Sequence, residues 1–595
     1  MKKKVSLLIT ALLTLSLTAC NFTIPEFSFT FGSNNSSEYS KETSKSASTE
    51  TSSKENSNSS AKEESSTSSD ISSSSVDISS SSEIISSSSS DFTSSIESSS
   101  GENSSSSEES SFSSESSSSE ELSSSIKEMP STSEELSESS INSDTSLPPD
   151  EPHIVNLEIF AFNDFHGNVI DSDNGIGLSK TSTFIKENSV SENTILISQG
   201  DMWQGSAESN MTRGELVTDW MNQEGFVSMT LGNHEFDWGQ EYIAASKERA
   251  NFPILACNIY NPNTYQLADY CQRSVVIEKG GAKIGIIGAI GDCYSSITAS
   301  KTQGITFLTG NDLTMEVKEE AEKLKEQGCD MVIYSLHDDD SAYDISLSGD
   351  YVDLVFEGHT HQNYVHQDSK GVYHIQGGGY NKTIPYINFD LDLDTNSITV
   401  NEVTSFKTND YVDDLDDDET TDALIASYSD VIGNVRDIIG NNSVKRNANE
   451  LKQLVANLYL EIGLDKWGDD YGIFLGGGYI SCRPPYYLQA GPVSYADIYD
   501  LFPFDNDIAL CRIEGRYLKS RFVNSTDSNY FISYSTYGNN NIDYIEDYTD
   551  YYVIVDSFSY DYSYNRLTMV ERYTNDTYYA RDLLKDYAIA GGFEH

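Results

Sequence analysis

Two patterns of hydrophobic and polar residues alternate along the chain after residue 151. Short apolar runs predict strands, and longer segments in which apolar residues recur every third or fourth position predict amphipathic helices. Their alternation indicates an α/β core of about 250 residues. The predicted strands are 156–162, 194–198, 229–231, 284–289, 331–336 and 352–356, and the predicted helices are 178–187, 215–223 and 312–327.

The residue composition changes after this core. An acidic, polar segment at 410–421 leads into a predicted helix at 423–431. From residue 445 onward, a predicted helix at 450–462 is accompanied by strand-like runs and many tyrosines, which indicates an α+β domain of about 150 residues. The expected boundaries are 151–405 for the α/β domain, 406–444 for a linker and bridging helix, and 445–595 for the second domain.

The N-terminus has the pattern of a secretory signal. Three lysines at 2–4 precede an apolar stretch at 5–17 that is too short to span a bilayer. The next residues, Leu17-Thr18-Ala19-Cys20, resemble the bacterial lipobox, in which the cysteine becomes the lipidated first residue. We therefore expect residues 1–20 to be a lipoprotein signal peptide. Lipid on Cys20 would be the only membrane contact and would hold the protein at the extracellular face of the bacterial membrane. An ordinary signal peptide that contains a cysteine is the alternative.

Residues 21–150 are a low-complexity segment rich in serine, glutamate and threonine. They include 24 acidic residues and 5 lysines. The segment has too little apolar surface to offset a backbone ordering cost of about 1–2 kcal/mol per residue. It is therefore predicted to be a disordered, self-repelling tether.

The net charge and the cysteine spacing argue against nucleic-acid binding and against a cysteine-ligated zinc site. With 37 basic and 94 acidic residues, the chain has a formal net charge of −57. Such a surface repels phosphate backbones, which argues against a nucleic acid polymer as a partner. The six cysteines besides Cys20 match no zinc template, and we assign them no catalytic role. Cys257 and Cys271 are close enough in sequence for a disulfide, and buried free thiols are the alternative.

Five short polar motifs follow strand-like runs in the α/β domain. Loops at the carboxyl ends of strands are where α/β sheets place ligands and catalytic groups. In the first and last motifs, two polar side chains stand two residues apart, so they share one face of an extended strand end. The motifs are Asn163-Asp164-Phe165-His166-Gly167, Gly200-Asp201, Gly232-Asn233-His234-Glu235, His337 and Gly358-His359-Thr360-His361.

These motifs hold five of the nine histidines in the chain. A lone histidine at a strand end is more often a hydrogen-bonded structural residue, and a lone Gly-Asp is usually a turn. Their co-occurrence favours a metal site, and nitrogen and oxygen donors without thiolate suit zinc, manganese or iron. The remaining histidines, His153, His366, His374 and His595, are expected to be solvent-exposed or packing residues.

The ordered motifs resemble those of the calcineurin-like metallophosphoesterases. The long C-terminal region narrows the resemblance, over residues 154–595, to the 5′-nucleotidase and UDP-sugar hydrolase family. This resemblance implies an α/β fold, in which a metallophosphoesterase β-sandwich flanked by helices precedes an α+β substrate-binding domain. It also implies two divalent metal ions, zinc, manganese or iron, bridged by Asp201. Asp164, His166 and His361 would complete one metal site, and Asn233, His337 and His359 the other.

His234 and Asp237 resemble the catalytic dyad of this family. Two cations about 3.5–4 Å apart stabilise the attacking and leaving oxygens of an in-line displacement. An imidazole beside them can stabilise the transition state or donate a proton to the leaving oxygen, and a carboxylate can fix the orientation of that imidazole.

Two segments of the second domain resemble the substrate-binding elements of the family. The glycine-rich segment 476–483 presents Arg483, whose planar guanidinium suits a phosphate. Segment 491–506 resembles the signature around a base-stacking phenylalanine, which implies that Phe504 covers one face of a nucleobase. A core aromatic residue is the alternative for Phe504. Other residues expected to bind substrate are Phe558 on the opposite face of the base, Asn506 beside Phe504, and Arg446 as a second phosphate ligand.

The function expected from the resemblance is that of a surface-anchored dinuclear phosphohydrolase that releases phosphate from extracellular nucleotides, a 5′-nucleotidase. The family's ribose-binding turn has no clear counterpart after Phe558, so UDP-sugar hydrolysis and 2′,3′-cyclic phosphodiester cleavage stay as alternatives. A non-catalytic surface interaction protein is an alternative from another class. The presence of all seven expected ligands favours an enzyme, and the oligomeric state stays open.

Overall fold

The computed structural model describes residues 152–172, 175–339, 346–535, 544–562, 565–573 and 578–595. The predicted signal peptide with Cys20 and the predicted tether at 21–150 lie outside the described residues. In the described part of the chain, no helix combines the length and the apolar character needed to cross a membrane.

A six-stranded mixed sheet contains the first strand of the described chain, Ile154–Phe162. This strand pairs in parallel with Thr194–Ser198 on one side and antiparallel with Thr383–Asp392 on the other. In sheet order the strands are Ser397–Lys407, Thr383–Asp392, Ile154–Phe162, Thr194–Ser198, Ser228–Thr230 and Ile254–Leu255.

A second six-stranded sheet contains the other predicted strands of the α/β domain. Met331–His337 pairs in parallel with Ala282–Ile290 and with Leu354–Glu357. In sheet order the strands are Tyr364–Gln367, Tyr373–Gln376, Leu354–Glu357, Met331–His337, Ala282–Ile290 and Ser274–Lys279.

The two sheets pack face to face. Leu157, Ile195 and Ile387 of the first sheet share one buried cluster with Ile284 and Ile333 of the second. All five side chains are fully buried, because alternate residues of each strand point into the space between the sheets. The predicted β-sandwich is confirmed.

Helices cover the outer faces of this sandwich. Phe184 of the first helix packs edge-on against Phe160 of the first sheet, with ring centroids 6.3 Å apart. On the other side, Val317 lies in a buried cluster with Ile287 of the second sheet. The helices of this domain are Leu178–Asn188, Ala207–Met211, Glu215–Glu224, Gln240–Arg249 and Gly310–Glu326, and a small pair of strands is formed by Ile259–Tyr260 and Thr306–Phe307.

The connection to the C-terminal domain holds two short helices where the sequence predicts one at 423–431. They are Glu419–Ser427 and Ser429–Ile432. Asp418 caps the first helix, since its side chain accepts a hydrogen bond from the N–H of Thr421. The second helix ends at Gly433, which has a positive φ of 60°.

The C-terminal domain is built on a five-stranded sheet and a long helix. The helix Ala448–Trp467 begins with a capping box between Asn447 and Glu450, which satisfies backbone N–H groups at its start. Its apolar face joins the sheet through Val455, which is buried in a cluster with Ile554. The sheet order is Tyr530–Tyr534, Ile473–Tyr479, Asp550–Asp556, Ile508–Glu514 and Thr568–Tyr573.

Shorter elements complete this domain. The strand Ile438–Asn442 pairs with Gly491–Ser494, so one strand of this pair lies before the predicted domain boundary at 445. The other elements are the strands Arg446–Asn447 and Tyr487–Leu488, and the helices Tyr495–Leu501, Gly515–Tyr517, Leu518–Val523, Ser557–Asp561 and Ala580–Ile589.

Hydrogen-bonded ion pairs join the two domains. Arg436 donates from Nε to a carboxylate oxygen of Glu208 over 2.6 Å. Arg213 of the α/β domain donates to Asp505 over 2.6 Å, and Asp505 also accepts from Arg581 of the last long helix. These contacts keep the C-terminal domain next to the loops that carry the predicted metal ligands.

The six described cysteines are free and buried. The structure therefore shows Cys257 and Cys271 as thiols, the second of the two possibilities that their spacing leaves open.

Candidate active site

All seven predicted ligands lie at the carboxyl ends of strands. Asp164 and His166 follow Ile154–Phe162, and Asp201 follows Thr194–Ser198. Because the strands within each sheet run in parallel here, their ends meet at one edge of the sandwich. The remaining four ligands follow the same rule: Asn233 after Ser228–Thr230, His337 as the last residue of Met331–His337, and His359 and His361 after Leu354–Glu357.

Five of the ligands have left-handed backbone conformations, which are uncommon for residues other than glycine. Each such backbone conformation destabilises the fold by about 1–3 kcal/mol, and it is kept only where contacts with the surrounding residues enforce it. The loops thus turn sharply after each strand and direct the side chains inward. The φ angles are 49° for Asp164, 50° for His166, 55° for Asp201, 70° for His359 and 55° for His361.

The first ligand set consists of Asp164, His166 and His361. Nε2 of His361 lies 3.2 Å from Oδ1 of Asp164 and 3.1 Å from Nε2 of His166. Nδ1 of His166 donates to the carbonyl of Gln204 over 2.9 Å, so in the neutral ring Nε2 carries a lone pair. The three ligand atoms therefore converge on one point.

The second ligand set joins Asp164 with Asp201 and His337. Nε2 of His337 lies 3.3 Å from Oδ2 of Asp201, and its Nδ1 donates to the carbonyl of Gln199 over 2.6 Å. Oδ1 of Asn233 lies 3.3 Å from that Nε2. Asp164 belongs to both sets, and the bridging role that the resemblance gives to Asp201 stays a prediction.

His359 completes the cluster beside Asn233. Its Nδ1 lies 2.9 Å from Oδ1 of Asn233, and its N–H donates to Asp164 over 2.8 Å. The structure thus brings all seven predicted ligands together in one connected cluster.

The donor atoms of this cluster fit bound cations. Oδ1 of Asp164 is buried and accepts no hydrogen bond from the backbone; the imidazole of His361, another predicted ligand, lies 3.2 Å from it. Burial opposes ionisation of Asp164, but the neighbouring imidazole of His361 lowers its pKa to about 2. Burial also disfavours the charged form of His337, but the carboxylate of Asp201 raises its pKa to about 10. The same negative field attracts metal ions, and the oxygen and nitrogen donors suit zinc, manganese or iron.

Cys293 lies beside this cluster, although the sequence assigned it no role. Its Sγ is within reach of ring nitrogens of His337 and His359 as a third possible ligand set. In the structure, Sγ donates to the carbonyl of His337 over 3.0 Å.

His234 and Asp237 form the predicted pair. Nδ1 of His234 lies 2.8 Å from Oδ2 of Asp237, and Nε2 lies 2.6 Å from Nη2 of Arg483. Since a guanidinium only donates, Nε2 of His234 accepts, and the ring proton lies on Nδ1 facing Asp237. The N–H of His234 donates to Oδ1 of Asp201 over 2.8 Å, which fixes the pair next to the ligands.

Phe504 and Asn506 face the same region from the C-terminal domain. The Phe504 ring lies 6.0 Å from the His234 ring. The guanidinium of Arg483 lies over the Phe504 ring, 5.1 Å from its centroid. Phe504 and Asn506 line one small pocket together with Asp556, to which Asn506 donates over 3.4 Å. The structure therefore places Arg483, Phe504 and Asn506 at the site.

The structure gives the last two predicted substrate residues other contacts. The Phe558 ring packs 5.1 Å from the ring of Tyr479 and has no ring contact with Phe504 among the described residues. Arg446 donates to Asn442 and to the carbonyl of His595, and these contacts involve none of the other predicted site residues. The structure therefore does not bring Arg446 to the site.

Sequence reasoning missed Glu235, although it lies within a predicted motif. It is fully buried and accepts from the N–H groups of Asp201, Met202 and Gly232 over 2.7–2.9 Å. Burial raises its pKa to about 7. Its position directly after His234 in the sequence is the feature that could have identified Glu235 as a site residue.

Sequence reasoning also missed Tyr380. Its ring packs against His166 and His361, and its hydroxyl contacts Arg483. It lies on the glycine-rich loop after Tyr373–Gln376, outside every motif, and no local signal identifies it.

Two family models match the chain. The model described as calcineurin-like phosphoesterase matches residues 157–363, and the model described as 5′-nucleotidase, C-terminal domain, matches residues 431–577. The first match includes the seven predicted ligands and His234, and the second includes Arg483 and Phe504.

Similar proteins are known in several organisms. An endonuclease, YhcR, of Bacillus subtilis (strain 168) is 23% identical over 407 residues, which cover 61% of this chain and 32% of that protein. An apyrase of Tabanus yao is 33% identical over 220 residues, which cover 34% of this chain and 39% of that protein. The chain thus spans about a third of the length of these relatives.

The fold also has a counterpart among solved structures. A 5′-nucleotidase precursor from Thermus thermophilus superposes with a TM-score of 0.58 at 17% sequence identity. The match covers 73% of this chain and 97% of that one, so both domains have the same fold in the two proteins.

Proposed function

The chain belongs to the calcineurin-like phosphoesterases with a 5′-nucleotidase C-terminal domain, a family of metal-dependent phosphoester hydrolases, and we propose that it releases phosphate from nucleotides. The observation that carries the proposal is the convergence of buried acceptor atoms beside Arg483 and His234. A cluster of oxygen and nitrogen ligand atoms next to a guanidinium suits metal ions on one side and a phosphate on the other.

We propose that the seven clustered residues would hold two divalent metal ions, with Asp164, His166 and His361 at one site, Asn233, His337 and His359 at the other, and Asp201 at both. When bound, they supply the positive charge that stabilises the phosphoryl oxygens and activates the attacking water. Gln199 and Gln204 orient the ligands His337 and His166 through their carbonyl oxygens, which keeps the Nε2 lone pairs directed at the cations.

The protein groups around the phosphate have separate tasks in this proposal. Arg483 binds the phosphate through its planar guanidinium, which takes its donor away from Nε2 of His234. Once Nε2 is free, His234 takes up a proton there from solvent and, as the imidazolium, would donate it to the leaving oxygen, while Asp237 accepts from Nδ1–H and fixes the ring. Glu235 holds the loop that carries Asp201 by accepting from three N–H groups.

The C-terminal side of the cleft supports a nucleotide as the substrate. Phe504 offers an aromatic face next to Arg483, and a stacked base is worth about 1–3 kcal/mol. Asn506 and Asp556 supply polar atoms to the adjoining pocket. UDP-sugars and 2′,3′-cyclic nucleotides present the same base and phosphate groups, so they belong in any test.

Phosphate release should be measured with AMP, UDP-glucose, 2′,3′-cyclic AMP and a DNA oligonucleotide. We expect AMP to be hydrolysed fastest, and we expect a chelator to lower the rate by more than about tenfold until divalent metal is restored, since the cations carry the charge stabilisation. Replacement of Phe504 by Ala should raise KM for AMP more than KM for a small aryl phosphate.

The matched control for that replacement is Phe406→Ala, which removes an aromatic ring that packs against Tyr386 and Phe184 in the α/β domain. Rates that do not respond to chelator would contradict the metal-dependent mechanism. An equal rise of KM for both substrates of the Phe504 variant would contradict stacking.

We also propose that lipid on Cys20 anchors the enzyme at the extracellular face of the bacterial membrane, in agreement with the pattern of residues 1–20. Cells supplied with labelled palmitate should label the wild-type protein and not Cys20→Ala. A soluble, unlabelled wild-type protein in the culture medium would contradict the anchor.

A further inference from the structure

Tyr380 touches both halves of the site. Its side chain is 8% exposed and lies on the loop between Tyr373–Gln376 and Thr383–Asp392. Its ring centroid is 4.7 Å from that of His166 at an interplanar angle of 31°, and 5.4 Å from that of His361 at 84°. The ring therefore supports two imidazoles of the first ligand set from one side.

The hydroxyl of Tyr380 reaches Arg483. Nη1 of Arg483 donates to this hydroxyl over 3.4 Å, while Nη2 donates to His234 over 2.6 Å. Nε of Arg483 is buried and has no hydrogen-bond partner. The guanidinium is therefore held through both of its terminal nitrogens, and the buried Nε–H is among the N–H groups left for an incoming acceptor.

The backbone at Tyr380 is held in a conformation that a tyrosine seldom adopts. Its φ is 62°, and its N–H donates to the carbonyl of Asp164 over 2.6 Å. Upstream in the same loop, Gly377 exchanges hydrogen bonds of 2.8 Å with the side chain of Asn163. Strained backbone conformations that neighbouring contacts determine cluster at functional sites.

We propose that Tyr380 is a positioning residue with two functions, one for each contact. Its ring fixes the orientation of His166 and His361, and thereby sets the affinity of the first metal site. Its hydroxyl fixes Arg483 for the substrate phosphate, and this second function rests on the proposed function.

Two substitutions separate these functions. Tyr380→Phe keeps the ring, so we expect an unchanged Kd for Mn²⁺ and a rise of about threefold to tenfold in KM for AMP, with little change in kcat. Tyr380→Leu removes the ring, so we expect affinity for Mn²⁺ to fall by about tenfold to a hundredfold, as when other groups that orient metal ligands are lost. Calorimetric titration of the metal-stripped protein with Mn²⁺ measures the affinity.

Tyr386 provides matched controls in the same domain. It is 4% exposed, its hydroxyl donates to Glu158 over 2.9 Å, and its ring packs 4.8 Å from Phe160. Tyr386→Phe and Tyr386→Leu should leave the Kd for Mn²⁺ and KM for AMP within about twofold of wild type. The Tm of these control variants also measures how much thermal stability is lost when a buried tyrosine ring or hydroxyl away from the site is removed.

Wild-type affinity for Mn²⁺ in Tyr380→Leu, or an unchanged KM in Tyr380→Phe, would overturn the corresponding function of Tyr380. If Tyr380→Leu fails to fold, loss of Mn²⁺ affinity in Tyr380→Phe, which keeps the ring, would overturn the assignment to the ring. If the wild type hydrolyses none of the nucleotides, the proposed function fails, and the metal titration still decides the role of the ring.

Discussion

Replacement of Asp201 by Asn is expected to abolish phosphate release and to remove bound metal together. Asp201 is 1% exposed, its Oδ2 lies 3.3 Å from Nε2 of His337, and its Oδ1 accepts from the N–H of His234. An amide at this position removes one negative charge from the second ligand set. It also places either an NH₂ group or a weaker acceptor against the cations.

The expected loss of metal affinity and of rate in Asp201→Asn can be estimated from the effect of milder substitutions at metal sites. Loss of a group that merely orients a metal ligand costs about tenfold to a hundredfold in affinity, so loss of a ligand's charge should cost at least about a hundredfold. Phosphate release should fall by about a thousandfold or more, because the metal charge is the main stabilisation of the transferring phosphoryl group. Metal content after dialysis and phosphate release from AMP are the two measurements.

Asp219→Asn is the matched control. Asp219 is also a carboxylate of the α/β domain, but it pairs with Arg249 over 2.6 Å and contacts Tyr428, away from the ligands. Its replacement should leave metal content and rate within about twofold of wild type. An Asp201→Asn protein that folds, keeps its metal and releases phosphate would contradict the ligand assignment.

The sequence pattern predicts where the ligand motifs meet because each motif lies at the carboxyl end of a strand, whereas the choice of the seven ligands within those motifs comes from the family resemblance. A parallel strand such as Thr194–Ser198 brings its carboxyl end to a known edge of the sheet, so the position of Asp201 follows from local pattern alone. The strand and helix positions of the α/β domain are predicted because short apolar runs, buried at successive positions, alternate with segments whose apolar residues recur every third or fourth position.

Other features depend on contacts between distant residues. Tyr380 packs against His166, which is 214 positions away in the sequence, and Arg213 donates to Asp505, which is 292 positions away. No periodic pattern of hydrophobic and polar residues indicates either contact. The proposed phosphate contact of Arg446 illustrates the same difficulty. Its residue type suits a phosphate, but the pairing of Arg446–Asn447 with Tyr487–Leu488 directs it to Asn442 and His595 instead.

Replacement of His234 by Asn should separate catalysis from metal binding. The imidazole of His234 belongs to neither ligand set, and only its backbone N–H contacts Asp201. We therefore expect the metal content to stay within about twofold of wild type. We expect kcat for AMP to fall by about a hundredfold to ten-thousandfold, the usual contribution of a positioned acid or base.

Asp237→Asn tests the other half of the pair. An amide at Asp237 can still accept a hydrogen bond from Nδ1 of His234, but it does not stabilise the charged ring. The loss in kcat should therefore be smaller than that of His234→Asn, again at full metal content. Loss of metal from His234→Asn would make His234 a ligand rather than a proton donor, and an unchanged kcat would remove the pair from the mechanism.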